Sequence, residues 1–174
     1  MNSRTMVKAA ASGGNYVEGV VDKLTTISPL YANTDTEKAA SQLVYPGLLS
    51  YDSANKLHEQ LAHSWQHDDS GKVWTVKLKS DLKWADGQAL TASDVVHTLA
   101  LMKKPEINSA ISSSWQTITA TAKDTTTVEF TLPAPLMSFD SALTFGVLPK
   151  HILEGKSAIE IADLSNKQPA KLVG

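Results

Sequence analysis

The alternation of apolar and polar residues is clearest between Leu61 and Val96, in the run LAHSWQHDDSGKVWTVKLKSDLKWADGQALTASDVV. Within it, core-type side chains recur at every second residue of Val73–Lys79. This period of two predicts a strand with one buried and one solvated face. The side chains expected on the buried face are Trp74, Val76 and Leu78. Gly71 ends an acidic turn and is suited to a positive φ, and Asp86-Gly87 is a second turn signal. The run predicts two strands joined by a turn, then a helix.

Helical spacing of apolar residues occurs in two segments. The first predicted helix is Thr36–Val44, with Thr34 or Asp35 as its N-cap and Pro46-Gly47 at its end. Its expected apolar face consists of Ala39, Ala40, Leu43 and Val44. The second helix opens with a capping box, Thr91-Ala-Ser-Asp94, and is expected to end before a proline. Its apolar stripe is Val95, Val96, Leu99 and Met102.

The remaining pattern predicts short elements. A second hairpin is expected from Thr117–Ala122 and Thr127–Leu132. Other expected elements are strands at Tyr16–Val21 and Leu48–Tyr51, a helix at Leu136–Leu143 and a helical turn at 148–153, and the chain is weakly patterned beyond Gly155. Strands come in antiparallel pairs rather than βαβ repeats. The predicted class is α+β, with antiparallel hairpins and packed helices.

Composition narrows the class of protein. The 174 residues are 42% hydrophobic and 20% charged, with a net charge of −2 and no cysteine. No basic patch indicates a nucleic-acid partner, and disulfides and thiolate chemistry are excluded. No apolar run approaches the about 18 residues of a membrane span. Residues 1–13 lack the apolar core of a signal peptide and are expected to be a flexible leader.

Candidate chemistry is sparse. His58 and His63 are five residues apart, whereas the zinc-protease motif needs two histidines at i and i+4 on one helical face. Asp68, Asp69 and Asp86 lie in predicted turns, where aspartates hydrogen-bond the backbone. There is no nucleophile elbow and no glycine-rich phosphate loop. We therefore expect neither catalysis nor a metal or cofactor.

The tryptophans on predicted strands are expected to pack in the core rather than to form an aromatic binding surface. Trp74 and Trp65 are expected on core faces of strands, whereas Trp84 is expected to be half exposed beside its turn.

Several blocks occur in an order that resembles a known family, the family 5 extracellular solute-binding proteins. These are the peptide, oligopeptide and nickel receptors of ABC importers. The resemblance covers residues 13–174. The blocks are Ser28-Pro29-Leu30, Leu43–Asp52 (LVYPGLLSYD), Leu61–Trp65 (LAHSW), Ser70–Lys72, Trp74–Lys79 (WTVKLK), Lys83–Val96 (KWADGQALTASDVV), Asp124–Leu132 (DTTTVEFTL) and Leu148–Ile152 (LPKHI).

The resemblance implies the N-terminal part of a two-lobe, type II periplasmic-binding-protein-like fold. It implies that residues 14–35 are a strand and loop of the first lobe and that 36–153 are a family-specific middle α+β domain. Residues 154–174 are then a return segment toward the first lobe, and the ending Pro169–Gly174 (PAKLVG) resembles the start of a longer motif. The chain is accordingly expected to be a fragment.

The implied function is that of a receptor that binds a solute, a peptide above all, and delivers it to the permease subunits. The implied location is the extracellular or periplasmic face of the bacterial envelope, with lipid anchoring of the whole protein left open. The ligand-binding residues implied are Glu18, Gly19, Ala32, Asn33, Thr34 and Asp35. For Asn33 and Asp35, a role in the turn and the helix N-cap stays open as the alternative.

Two other functions stay open from the sequence. The chain is alternatively a structural or interaction module that contacts the permease or associates with itself. A hydrolase with an unrecognised site is the other alternative.

Overall fold

The computed structural model describes residues 24–167. The expected leader 1–13, the strand Tyr16–Val21 and the ending Pro169–Gly174 lie outside these residues. The helices are α1 (Asp35–Val44), α2 (Ala92–Met102), α3 (Ser112–Trp115), α4 (Lys150–Leu153) and α5 (Ala158–Lys167), with 3₁₀ turns at Pro105–Ile107 and Phe139–Thr144. The strands are β1 (Leu49–Tyr51), β2 (Leu57–Glu59), β3 (Ala62–His67), β4 (Val73–Leu78), β5 (Thr119–Ala122) and β6 (Thr127–Thr131).

Both predicted hairpins form, and they join into one antiparallel sheet of order β3-β4-β6-β5. The central pair is β4 and β6, where Trp74 lies opposite Phe130 and Val76 opposite Val128. All four side chains are buried, so the predicted alternation of β4 is confirmed. A separate hairpin pairs β1 with β2, a strand that the sequence pattern did not indicate.

Hydrogen bonds fasten α2 to the segment before α4. The Asp94 carboxylate accepts the Thr91 N–H and the Lys150 N–H, each at 2.8 Å. The Thr98 hydroxyl donates to the Asp94 carbonyl at 2.8 Å and accepts the Leu148 N–H at 2.9 Å. Asp94 and Thr98 are both buried. The predicted capping box is confirmed, and its carboxylate also joins segments more than fifty residues apart.

Aromatic rings form the centre of the core. Phe139 makes edge contacts with Trp74, Phe130 and Trp115, at centroid distances of 5.7, 5.5 and 5.6 Å. Phe139 opens a 3₁₀ helix over residues 139–144, where the sequence predicted a helix over 136–143. The turn places Phe139 and Leu143 inward, and both are buried. The helical segment is thus found as predicted, but it is of the 3₁₀ type and starts three residues later.

The apolar face expected on α1 is wrong at Ala39 and Leu43, whereas Ala40 and Val44 are half-buried. Leu43 is 81% exposed and Ala39 is exposed, whereas Glu37 and Ser41 are the buried residues of the helix. The orientation follows from Glu37, whose carboxylate accepts hydrogen bonds from the chain before the helix. Periodicity found an apolar stripe, of which Val44 packs against the core and Leu43 is left exposed.

The expectation for Trp84 is also wrong, since this side chain is only 6% exposed. The turn folds back over it: the Trp84 N–H donates to the Gln88 carbonyl at 2.9 Å, and the Gly87 N–H donates to the Trp84 carbonyl at 3.0 Å. Trp74 is buried as expected, and Trp65 is half-buried against the core.

Helix α5 was missed because its apolar spacing is weak. Its start nevertheless carries a local signal, since Ser157 precedes Glu160 by three residues. The Ser157 N–H and hydroxyl donate to the Glu160 carboxylate at 2.8 and 2.7 Å. The helix buries Ile161 in the same apolar cluster that contains Leu30. Residues from 30 to 161 therefore share one core.

Two glycines let distant segments approach closely. A Cβ on Gly47 would lie 2.9 Å from the carbonyl carbon and oxygen of Thr144. A Cβ on Gly146 would lie 2.8 Å from the Tyr45 Cβ and 3.1 Å from the Pro29 Cβ. These neighbours are backbone or Cβ atoms and have little freedom to move. The contact places residues 144–146 against the loop before α1 and the chain after it.

We predict that Gly146→Ala and Gly47→Ala each lower the free energy of unfolding by about 1–3 kcal/mol, because the added methyl overpacks this contact. Urea unfolding followed by tryptophan fluorescence measures the change. Ser113→Ala, at an exposed position of α3, is the control and should change stability by less than about 0.5 kcal/mol. Glycine variants as stable as the control would contradict the prediction.

Candidate functional site

The predicted ligand-binding residues fall in two places. Glu18 and Gly19 lie outside the described residues. The other four are contiguous, at the end of the loop that leads into α1: Ala32 is buried, and Asn33, Thr34 and Asp35 are exposed.

Glu37 holds this loop in place. Its carboxylate accepts the N–H groups of Asn33 at 3.0 Å, Thr34 at 3.2 Å and Thr25 at 3.3 Å, and also the Thr25 hydroxyl. In return, the Thr34 hydroxyl accepts the Glu37 N–H at 3.2 Å and completes a capping box. These hydrogen bonds, that of the Thr25 hydroxyl foremost, lower the pKa of Glu37 to about 2.

The capping box decides what the loop can offer a solute. The N–H groups of Asn33 and Thr34 are already taken by Glu37. Thr34 is the N-cap, as one of the two predicted candidates. Thr34 is exposed but its hydroxyl accepts the Glu37 N–H, so the side chains of Asn33 and Asp35 are what the loop can offer. The loop is therefore a fixed wall rather than a set of free backbone donors.

A hollow of about 340 Å³ lies beside this wall, between α1, α3 and the segment 142–146. Its lining residues are Pro29, Ala32, Lys38, Ser41, Gln42, Ile111, Ser114, Trp115, Ala142, Thr144, Phe145 and Gly146. Only Ala32 among them belongs to the predicted site. The residues from α3 have no periodic or motif signal, so sequence reasoning had no means of finding them.

The floor of this first hollow is apolar and its rim is polar. Below it, the rings of Trp115 and Phe145 pack edge to face with their centroids 5.1 Å apart, and both side chains are buried. Lys38, Gln42 and Ser114 supply polar side chains. A concave apolar surface with a few polar groups is the usual form of a small-molecule site.

A second hollow of about 400 Å³ lies on the other side of α1 and shares Gln42 and Thr144 with the first. It is lined in part by Leu43 and Tyr51, which are 81% and 47% exposed. The outer side of α1 therefore presents uncovered apolar surface at Leu43, next to Tyr51 of β1.

A family model for the bacterial extracellular solute-binding proteins, family 5 Middle, matches residues 56–174. The chain belongs to this family. The glutathione-binding protein GsiB of Escherichia coli is 32% identical over 139 residues, which are 79% of this chain and 27% of GsiB.

Solved structures of ABC-transporter and related binding proteins show the same fold. The substrate-binding protein CtaP of Listeria monocytogenes is 35% identical with a TM-score of 0.74, and the match covers 84% of this chain and 30% of CtaP. NikZ of Campylobacter jejuni, in complex with Ni(L-His), is 30% identical with a TM-score of 0.74 over 83% of this chain and 29% of NikZ. The chain thus spans less than a third of the length of these relatives.

Family membership confirms the resemblance and the α+β, periplasmic-binding-protein-like fold. It also confirms that the chain belongs with binding proteins rather than enzymes, so the hydrolase alternative is not supported.

Two histidines of this family 5 chain each pair with an aspartate. His58 Nε2 lies 2.7 Å from Asp52 Oδ2, and His151 Nε2 lies 2.7 Å from Asp86 Oδ2. Within residues 24–167, no group of three His, Asp or Glu side chains is placed to hold a metal ion. None of the helices in that range has the length and apolarity of a bilayer crossing.

We predict that Glu37→Gln destabilises the chain at neutral pH, because the amide turns an NH₂ toward backbone donors. The folded carboxylate, with its pKa near 2, stays ionised where the unfolded one, near 4.5, takes a proton. The stabilisation that the Glu37 carboxylate gives the folded chain is therefore complete above pH 4.5 and is lost as the pH falls toward 2. The stability gap between native chain and variant should close across that window.

Thermal unfolding from pH 7 to pH 2 measures this gap. Glu59→Gln is the matched control, since Glu59 is exposed on β2 and makes no side-chain hydrogen bond with a described residue. A gap for Glu37→Gln that stays constant over the whole range would count against the role of the carboxylate.

Proposed function

We propose that this chain forms the loop wall and the middle domain of a receptor that binds a peptide or similar small solute and delivers it to the permease of an ABC importer. The observation that carries the proposal is the family match over residues 56–174. GsiB is named for binding glutathione, which is itself a small peptide, and NikZ was solved with a histidine complex of nickel. Amino-acid derivatives are the common chemistry of these two cargoes.

The proposed division of the chain follows the sequence analysis. Residues 14–35 belong to the first lobe, 36–153 form the middle domain, and 154–174 lead back to the first lobe. In support, the sheet, α2 and α4 share one apolar cluster. The cluster also includes Leu30 and Ile161, so the flanking segments rest on the middle domain through these side chains.

The proposed mechanism needs a second lobe. Both hollows are open, and the rigid wall at Ala32–Asp35 offers a solute one side only. Closure of a second lobe over the solute would bury it and present the closed receptor to the permease. The family description as extracellular supports a place on the outer or periplasmic face of the envelope.

We predict that the chain alone binds no peptide with micromolar affinity, because one wall buries too little of a flexible solute. Isothermal titration calorimetry with glutathione and with trialanine is the measurement. A longer polypeptide that carries this chain and a second lobe is the positive arm, where micromolar binding of a peptide is expected. A micromolar dissociation constant for the chain alone would refute the need for a second lobe. A two-lobed polypeptide that binds no peptide would refute the proposed function.

The second candidate function is an interaction module that contacts the permease or associates with itself. The observation that favours it is the uncovered apolar strip of α1, with Leu43 81% exposed beside the half-exposed Tyr51. Apolar patches of this kind mark protein–protein contacts on soluble proteins.

We predict that Leu43→Ser reduces any self-association of the chain, since it removes the most exposed apolar side chain of the strip. Light scattering over a concentration series gives the molar mass. Ile159→Ser is the control, because Ile159 is similarly exposed, at 77%, but lies on α5. A monomer at every concentration would exclude the self-association function.

A further inference from the structure

The rim of the first hollow carries three polar side chains that have no partner in the described part of the chain. Lys38, Gln42 and Ser114 line it, and none makes a side-chain hydrogen bond or ion pair with any residue between 24 and 167. Lys38 and Gln42 are four residues apart on α1 and so lie on the same side of the helix. Ser114 faces them from α3.

The lining of the hollow carries a positive charge and no negative one. Among residues 24–167, Lys38 is its one ionised side chain, and no aspartate or glutamate lines it. Of the two acidic residues in the first turn of α1, Glu37 is buried and already accepts four hydrogen bonds from the loop, and the exposed Asp35 is not part of the lining. A single negative group at the rim would therefore meet an ammonium and neutral hydrogen-bonding groups, with no carboxylate of the lining to repel it.

The floor favours an apolar body attached to that negative group. Pro29, Ala32, Ile111 and Ala142 line it above the Trp115 and Phe145 rings. The volume of about 340 Å³ lies at the lower end of the range for small-molecule sites, so one side chain and its adjoining backbone are the right scale. The lining has one lysine and no arginine, which suits a singly charged carboxylate better than a phosphate.

We propose that the first hollow binds the C-terminal residue of a short peptide, with its apolar side chain on the floor and its carboxylate at Lys38. This inference rests on the proposed function and names a part of its solute. The Lys38 ammonium donates to the carboxylate, and the Gln42 amide and the Ser114 hydroxyl donate to its other oxygen or to the preceding carbonyl.

The expected strength follows from exposure. Lys38 is exposed, and an exposed ion pair contributes at most about a fivefold change in affinity. With one residue of the solute engaged, the chain alone should bind in the millimolar range. Such weak binding is compatible with the prediction that calorimetry detects no micromolar affinity for the isolated chain.

The test is a ¹H–¹⁵N NMR titration of the chain with N-acetyl-Gly-Phe and, separately, with its C-terminal amide. We expect the acid to shift the Trp115 indole and the Ser114 backbone signals, and the amide to bind about fivefold more weakly. Lys38→Gln should weaken binding of the acid probe by the same factor, so that the acid and the amide bind equally well. Gln retains helix propensity, so the variant should fold.

Lys56→Gln is the matched control, because Lys56 is also exposed but lies in the β1–β2 turn, away from the hollow. It should leave both probes unchanged. Equal binding of acid and amide, shifts confined to residues outside the hollow, or an unaltered response in Lys38→Gln would each overturn the inference.

The same variant separates this inference from the proposed function. If a two-lobed polypeptide that carries the chain binds peptides and Lys38→Gln leaves its affinity and its preference for a free carboxylate unchanged, only the inference fails. If that polypeptide binds no peptide while the chain still shows the Lys38-dependent response, the proposed function fails and the inference stands.

Discussion

The contacts of the Trp115 ring join the sheet, the 3₁₀ turn and the hollow into one unit. The centroid of this ring lies 6.3 Å from that of Phe130 on β6, 5.6 Å from that of Phe139 and 5.1 Å from that of Phe145. One part of the indole thus belongs to the core and another forms the floor of the hollow. Because interiors are close-packed, the shape of the hollow depends on how the sheet and the turn pack beneath it.

Two buried carboxylates complete this framework. Asp94 joins the start of α2 to the start of α4, and Glu37 joins the start of α1 to the loop that precedes it. Both act as acceptors for backbone N–H groups, the arrangement that makes burial of a charge tolerable. The buried acids of the described chain are therefore structural, in keeping with a family of binding proteins.

The open side of the molecule follows from the same framework. Glu37 turns α1 so that its polar side faces the loop, which leaves Leu43 and the two hollows uncovered. In the proposed receptor, this uncovered surface is the one over which a second lobe would close. Its rigid placement would limit the entropy lost when a solute or that lobe is ordered against it.

The sequence by itself determined the local elements of this protein. Alternation predicted β4, the Thr91 capping box predicted the start of α2, and the ordered blocks led to the family, because each depends on neighbours within a few residues. The Ser157–Glu160 signal of α5 was present in the sequence and was overlooked. The predicted loop residues Ala32–Asp35 lie beside the first hollow, which Ala32 helps to line, and their role toward a ligand stays a prediction.

Only the tertiary structure decided how these elements meet. It joined the two hairpins through β4 and β6, buried Trp84, and left Leu43 in solvent. It also built the first hollow from residues between 29 and 146 that share no motif. Periodicity reports which face of an element is apolar, but what covers that face is set by contacts between segments far apart in the chain.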